Sequence, residues 1–460
     1  MWTTTAAAAS AAVLCRIPQT SAFTQPPLTS SVTAHHLHRG RVRTADRSQL
    51  RMSAVSIPTI KTTVDEIFSP SIDMSGVQLS GLNGLALEEK SFPTKTEVMK
   101  VIPKHCFVKD TVRSMLYGVF SCAATLMIGG AAAIFLPMKL VMLPAWIAYA
   151  AVCGTVATGA WVVAHECGHG AFSDNRSLQD MVGYIVHSSL LVPYFSWQRS
   201  HAVHHANTNH MTLGETHVPE LRSEGGTSLA AQQDFCRKTF GKGVGKVLFG
   251  VVQTLNHLVL GWPAYLLFGA TGGPARGMTS HFFPHPPFST GQKKTDLYPG
   301  QWKKKVWFSN VGVACMISGL ALWASKVGVA TVAALYGGPY LVVNSWLVLI
   351  TWLQHTEVDV PHFDAENWNF VKGAFHTVDR PYGRVLDFLH HRIGSTHVAH
   401  HLDCTIPHYH AREATEAIKQ AYPELYLYDP TPLPRAMWRL ATSCVGVEKR
   451  GNMHVFVSND

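Results

Sequence analysis

Four long apolar runs interrupt the polar background of the chain, at 115–138, 140–164, 306–325 and 327–353. Each is about 20 or more residues long and predominantly apolar, the length that crosses a bilayer as a helix. None holds a charged residue or a histidine. Lys139 sits between the first two runs and Lys326 between the last two, so the pattern predicts two helical hairpins.

Two further apolar stretches, 181–195 and 247–269, fit less well. The first is short, and the second carries His257 and Pro263. Histidine-rich segments follow the second and the fourth run. For those segments to meet at one site, an even number of crossings must separate them. Both ambiguous stretches are therefore read as interfacial or re-entrant. The Lys139 and Lys326 turns then lie on the far side, and the long basic segments lie with the histidines, in keeping with the positive-inside tendency. The expected fold class is an all-α integral membrane protein. Four transmembrane helices in two hairpins carry a helical cap on the cytosolic or stromal side, and the cap bears the histidines.

Composition supports a membrane protein: 47% of residues are hydrophobic and only 15% are charged, against about 25% charged in soluble domains. The net charge of +9 suits an anionic lipid surface or an acidic partner protein. No basic stripe interleaved with aromatics is present, so nucleic acid is not an expected partner. Nine scattered cysteines form no CxxC pair. That pattern argues against a zinc ribbon, an iron–sulfur ligand set or a disulfide framework.

Residues 1–53 hold six Arg and a single acid, with many Ala, Ser and Thr, the composition of an organelle transit peptide or disordered basic leader. The Ala-Phe pair at 22–23 resembles the cleavage junction of two-part plastid leaders. The division expected is a leader at 1–53, a polar region at 54–114, the membrane domain at 115–430 and a C-terminal tail at 431–460.

Histidine carries the chemistry. HECGH (165–169), HAVHH (201–205) and HVAHH (397–401) place imidazoles at i, i+3 and i+4, and helical residues so spaced share one face. Eight imidazoles exceed the three or four protein ligands of one zinc and suit two transition metals. Ligand type alone leaves iron, copper, nickel and zinc open. HECGH also fits the HExxH of zinc proteases, with Glu166 as general base, but two further clusters count against that reading. A metal transporter is a second alternative. It calls for ionisable residues inside the spans, and the four runs have none.

Around these boxes the segments HECGHGAFSDN, VHSSLLVPYFSWQRSHAVHHANTNHM, LITWLQHTEVDVPHF, KGAFHTVDRPYG and STHVAHHLDCTIPHYHAREATEAIK resemble the membrane fatty-acid desaturases that act toward the methyl end of the acyl chain, over residues 85–430. The resemblance implies two non-haem iron ions, with O2 as co-substrate. It implies His165, His169, His201, His204, His205, His397, His400 and His401 as ligands and His355, in LQHT, as a ninth. Glu166 and Asp403 are candidates to orient imidazole N–H groups. His362, His390, His391, His408 and His410 are candidates for supporting or surface roles, and Tyr194, Trp197 and Trp352 for lining an acyl tunnel.

The chemistry agrees, because unactivated methylenes offer neither an acidic proton nor a leaving group to side-chain catalysis. The activity expected is insertion of a cis double bond by an ω3 (Δ15) enzyme, converting linoleate to α-linolenate. The alternatives are Δ12 (ω6) desaturation of oleate, or a hydroxylase, epoxygenase or conjugase variant. A membrane glycerolipid is the expected substrate, and a plastid membrane is expected rather than the endoplasmic reticulum. No fused haem module is visible, so electrons are expected from ferredoxin in a plastid or from cytochrome b5 in the endoplasmic reticulum.

Overall fold

The computed structural model describes residues 91–222, 228–291 and 293–457. The expected leader at 1–53 lies outside the described residues. Helix Thr111–Phe135 starts at Asp110, whose side chain accepts the Arg113 N–H and so satisfies one of the donors that a helix start leaves open. It packs along helix Leu143–His169, which ends where Gly170 turns left-handed at φ 77°, a conformation glycine adopts without steric cost. The first histidine box therefore occupies the last turn of the second long helix.

Helix Trp302–Val327 leads through Gly328 to a last long helical stretch, Val329–His355, whose main segment is Gly338–His355. That segment lies against Leu143–His169. Their close approach depends on Gly154, where an added Cβ would sit 2.5 Å from the Val342 Cβ. Trp302–Val327 packs instead on the shorter helices Arg176–Ser189 and Tyr194–Ala206. Large side chains such as Leu126, Ile134, Leu140 and Val329 project outward, each more than 70% exposed. An apolar exterior of this kind is at home in lipid.

The described residues hold five helices long and apolar enough to cross a membrane, where the sequence leads one to expect four. The additional one is Lys242–Phe268, which takes up the ambiguous 247–269 stretch and is interrupted by a π-turn at Asn256–Leu260. Both of its ends are fastened to polar elements. Near the start, Phe249 clusters with Ala230 and Val445. Just past the end, the Thr271 carbonyl accepts the Val218 N–H at 2.9 Å. The other ambiguous stretch, 181–195, is divided between the 14-residue helix Arg176–Ser189 and the start of Tyr194–Ala206.

The cap is built from short helices, among them Phe370–Phe375, His397–Leu402 and His408–Ala421. Its core joins Val98, Ile102, Phe375, Val398, Leu402 and Ile418, each burial contributing roughly 1.5–3 kcal/mol. Beneath lies a closed ion network. Arg380 is fully buried and pairs with Glu357, 3.0 Å away, and with Asp429, while Arg439 reaches the same two carboxylates.

The segment expected as a C-terminal tail is folded into this cap. Helix Leu433–Ser443 buries Ala436 and Leu440 against Trp352 and Leu353. The strands Val447–Arg450 and Met453–Phe456 form an antiparallel hairpin, with Val447 opposite Phe456. The apolar stripe Ala436, Leu440, Ala441 accounts for the difference, since it needs a partner surface.

Candidate metal centre

Four helices deliver the histidines. His165 and His169 close helix Leu143–His169, and His201, His204 and His205 occupy the last turns of Tyr194–Ala206. His355 is the final residue of Gly338–His355, and His397, His400 and His401 belong to His397–Leu402. The last helix is only six residues long, and Asp379 holds its start by accepting the N–H groups of His397 and Val398.

Side-chain nitrogens of His165, His169, His201, His205 and His400 lie within 4.8 Å of one another. In this set the Nε2 of His201 is 3.0 Å from that of His165 and 3.3 Å from that of His205. A second set joins His204, His355 and His401. There the Nε2 of His355 lies 3.1 Å from that of His204 and 2.9 Å from that of His397. All nine sequence-predicted histidines therefore converge, in groups of five and four.

These contacts suit cations better than hydrogen bonds. A neutral imidazole carries one N–H, so a single Nε2 cannot serve two facing nitrogens with one proton. The Nε2 atoms of His400 and His401 are buried without any hydrogen-bond partner, an arrangement that costs free energy unless a ligand is supplied. Burial and neighbouring imidazoles hold His201, His205, His397, His400 and His401 well below the ordinary histidine range. His204 is pulled down to about 3. Uncharged rings are the form that binds metal.

The surroundings place the remaining expected residues. Trp197 stacks on His201 with ring centroids 4.5 Å apart. Gly168 makes room for it, because an added Cβ there would meet the Trp197 ring at 2.7 Å. Tyr194 bonds to Asp180 at 3.0 Å, and Trp352 stacks on His257. Glu166 is buried and accepts the His408 N–H at 3.0 Å, while its other oxygen stands 3.8 Å from the His165 Nδ1. The Asp403 carboxylate takes the backbone and hydroxyl donors of Thr405.

His391 bonds to Ser121 at 3.0 Å, and His390 lies 3.1 Å from the Thr155 carbonyl. His362 pairs through its backbone with His454, and His410 lies against His105.

Four groups near the centre had no signal in the boxes. The Thr208 hydroxyl lies 3.1 Å from the His401 Nδ1. The His217 ring stacks on His355 at 5.5 Å. The Ser200 hydroxyl bonds to Glu215 and lies 2.6 Å from the Tyr265 hydroxyl, and burial pushes the Glu215 carboxyl up to about 7. Asp379, at the foot of the third box, is the fourth.

Comparison with known proteins agrees with this geometry. Residues 144–431 match the family described as fatty acid desaturase. A Δ12 fatty-acid desaturase of Vernicia fordii is 42% identical over 358 residues, 77% of this chain and 88% of the relative. An omega-6 fatty acid desaturase of the endoplasmic reticulum in Brassica juncea is 41% identical over the same shares. A Δ12 fatty-acid desaturase of Arabidopsis thaliana is 41% identical over 76% of this chain and 87% of its own length. The chain belongs to the membrane fatty acid desaturases, oxidoreductases that act on acyl chains.

Proposed function

We propose that this protein is a Δ12 (ω6) desaturase that converts oleoyl to linoleoyl chains of membrane glycerolipids, working in the endoplasmic reticulum with electrons from cytochrome b5. The observation that carries the catalytic part is the convergence of nine imidazoles in two sets where two apolar helices, Leu143–His169 and Gly338–His355, end. The names of the relatives carry the regiochemistry and the compartment. They favour Δ12 over the ω3 reading and the endoplasmic reticulum over the plastid. Motifs shared by both enzyme types cannot make that choice, because double-bond position depends on the depth of the acyl channel.

In this reading His165, His169, His201, His205 and His400 hold one iron, and His204, His355, His397 and His401 hold the other. Iron bound by these residues would supply the O2-dependent oxidation in which two adjacent methylenes, two electrons and two protons give a cis alkene and two waters. The chain's own part is to hold the imidazoles neutral and fixed. Thr208 orients His401, Asp379 anchors the helix of the third box, and Trp197 backs His201. An apolar cleft of about 230 Å³ between Met115, Val119, Val163 and Ile185 offers an acyl tail a path without polar contacts.

The first two histidine boxes and the third face one side only if the chain between His205 and His397 crosses the membrane an even number of times. Helix Lys242–Phe268 is accordingly assigned to the interface, with four crossings in all, and the attachment of both its ends to the cap supports this.

The test is expression in a host that makes oleate but no linoleate, followed by gas chromatography with double-bond localisation. Linoleate formed from the host's oleate is the expected product. α-Linolenate appearing only when linoleate is fed would overturn the Δ12 assignment.

A further inference from the structure

A second group of metal-binding side chains stands apart from the histidine boxes. His105 and Cys106 belong to the short 3-10 helix Lys104–Phe107, and His410 and Glu413 lie on helix His408–Ala421. The latter two are three residues apart and so share a helix face. Their four ligand atoms lie within 4.8 Å of one another, and the His105 Nε2 is 2.7 Å from a Glu413 oxygen. No residue is shared with the nine boxed histidines.

We propose that His105, Cys106, His410 and Glu413 form a zinc site that fastens the segment preceding the first span to the cap helix following the third box. The donor set fits zinc. One thiol, two imidazoles and one carboxylate are the ligand types of tetrahedral zinc, with bonds of about 2.0–2.3 Å that place ligand atoms about 3.3–3.8 Å apart. The observed spacing closes to that value with movements of about 1 Å or less. Four protein ligands leave no open position, the signature of a structural rather than a catalytic zinc.

The frame is already rigid. Cys106 is buried in the cap core, and its N–H is held by the Pro103 carbonyl at 2.9 Å. Next to it the Tyr409 hydroxyl accepts the Asp110 N–H at 2.7 Å, and Arg113 lies over the Tyr409 ring. The His105 and Glu413 side chains are about half exposed, at 57% and 50%. A cation can therefore enter from water without passing the histidine boxes.

The experiment uses the purified full-length protein loaded with iron, exposed to excess zinc and dialysed, with metals counted by mass spectrometry. One zinc per chain in addition to iron is expected. Cobalt in place of zinc should give a near-ultraviolet thiolate charge-transfer band, which Cys106→Ser abolishes. Cys106→Ser and His410→Gln should each weaken zinc binding at least about 10-fold while the iron count stays unchanged. Glu413→Gln, at a half-exposed position, repeats the test if Cys106→Ser fails to fold. A wild-type protein that holds no zinc beyond iron, or zinc binding equal in wild type and all three variants, would overturn the proposal.

Discussion

The Nε2 atoms of His204 and His355 lie 3.1 Å apart although 151 residues separate them in the chain. His204 lies in the last turn of the short helix Tyr194–Ala206, and His355 ends the last membrane helix. Their meeting joins the polar cap to the apolar bundle at the metal centre.

Replacing His355 with Ala removes a member of the four-histidine set. Desaturation should fall at least about 100-fold, since ligand losses exceed the 10–100-fold effects of supporting residues. Iron per chain should drop by one atom while the five-histidine set keeps its own. Product yield and iron content measured on one preparation check both.

Thr208 tests the support of a ligand. Thr208→Val keeps the shape but removes the hydroxyl beside the His401 Nδ1, and activity should fall about 10–100-fold. Thr208→Ser restores the hydroxyl and should recover most of it. Equal activity of the Val and Ser variants would show that the contact orients nothing.

Arg380 concerns stability. Its fully buried guanidinium pairs with Glu357 and Asp429, so Arg380→Met leaves two buried carboxylates short of a partner. The expected loss is about 3–5 kcal/mol, read as a lowered unfolding midpoint in lipid nanodiscs. Arg439 retains its contacts to both acids and keeps the loss from growing further.

Acid should weaken the fold from an early point. Burial draws His362 to about 3 and His376 to about 4, whereas the unfolded chain binds the proton near 6.5. Between those values the unfolded state holds more protons, so stability is fully present above about pH 6.5 and declines as pH falls toward 4. Unfolding midpoints from pH 8 to pH 4.5 should trace that fall, and a protein that grows more stable on acidification would contradict it.

The histidine boxes were legible because metal binding imposes a spacing, and three copies of that spacing leave few alternatives. His217, Thr208 and Asp379 were not, since each is a single polar residue in a turn or loop, brought to the centre only by tertiary packing. Helix Lys242–Phe268 illustrates another limit: its composition suffices for a crossing, and only the placement of its two ends speaks to its course. The helix and hairpin of the 431–457 segment were hard to read for the opposite reason, because its apolar stripe is short and polar residues surround it. Regiochemistry was out of reach, as Δ12 and ω3 enzymes share the boxes and differ in channel depth.

The most direct test of the paired metal centre is the iron content and Mössbauer spectrum of the purified full-length protein. The proposed assignment of the nine converging histidines predicts two irons per chain in nitrogen-rich surroundings, with His204→Ala and His205→Ala each losing one. A single iron in the wild type, or an iron count untouched by both substitutions, would contradict the account.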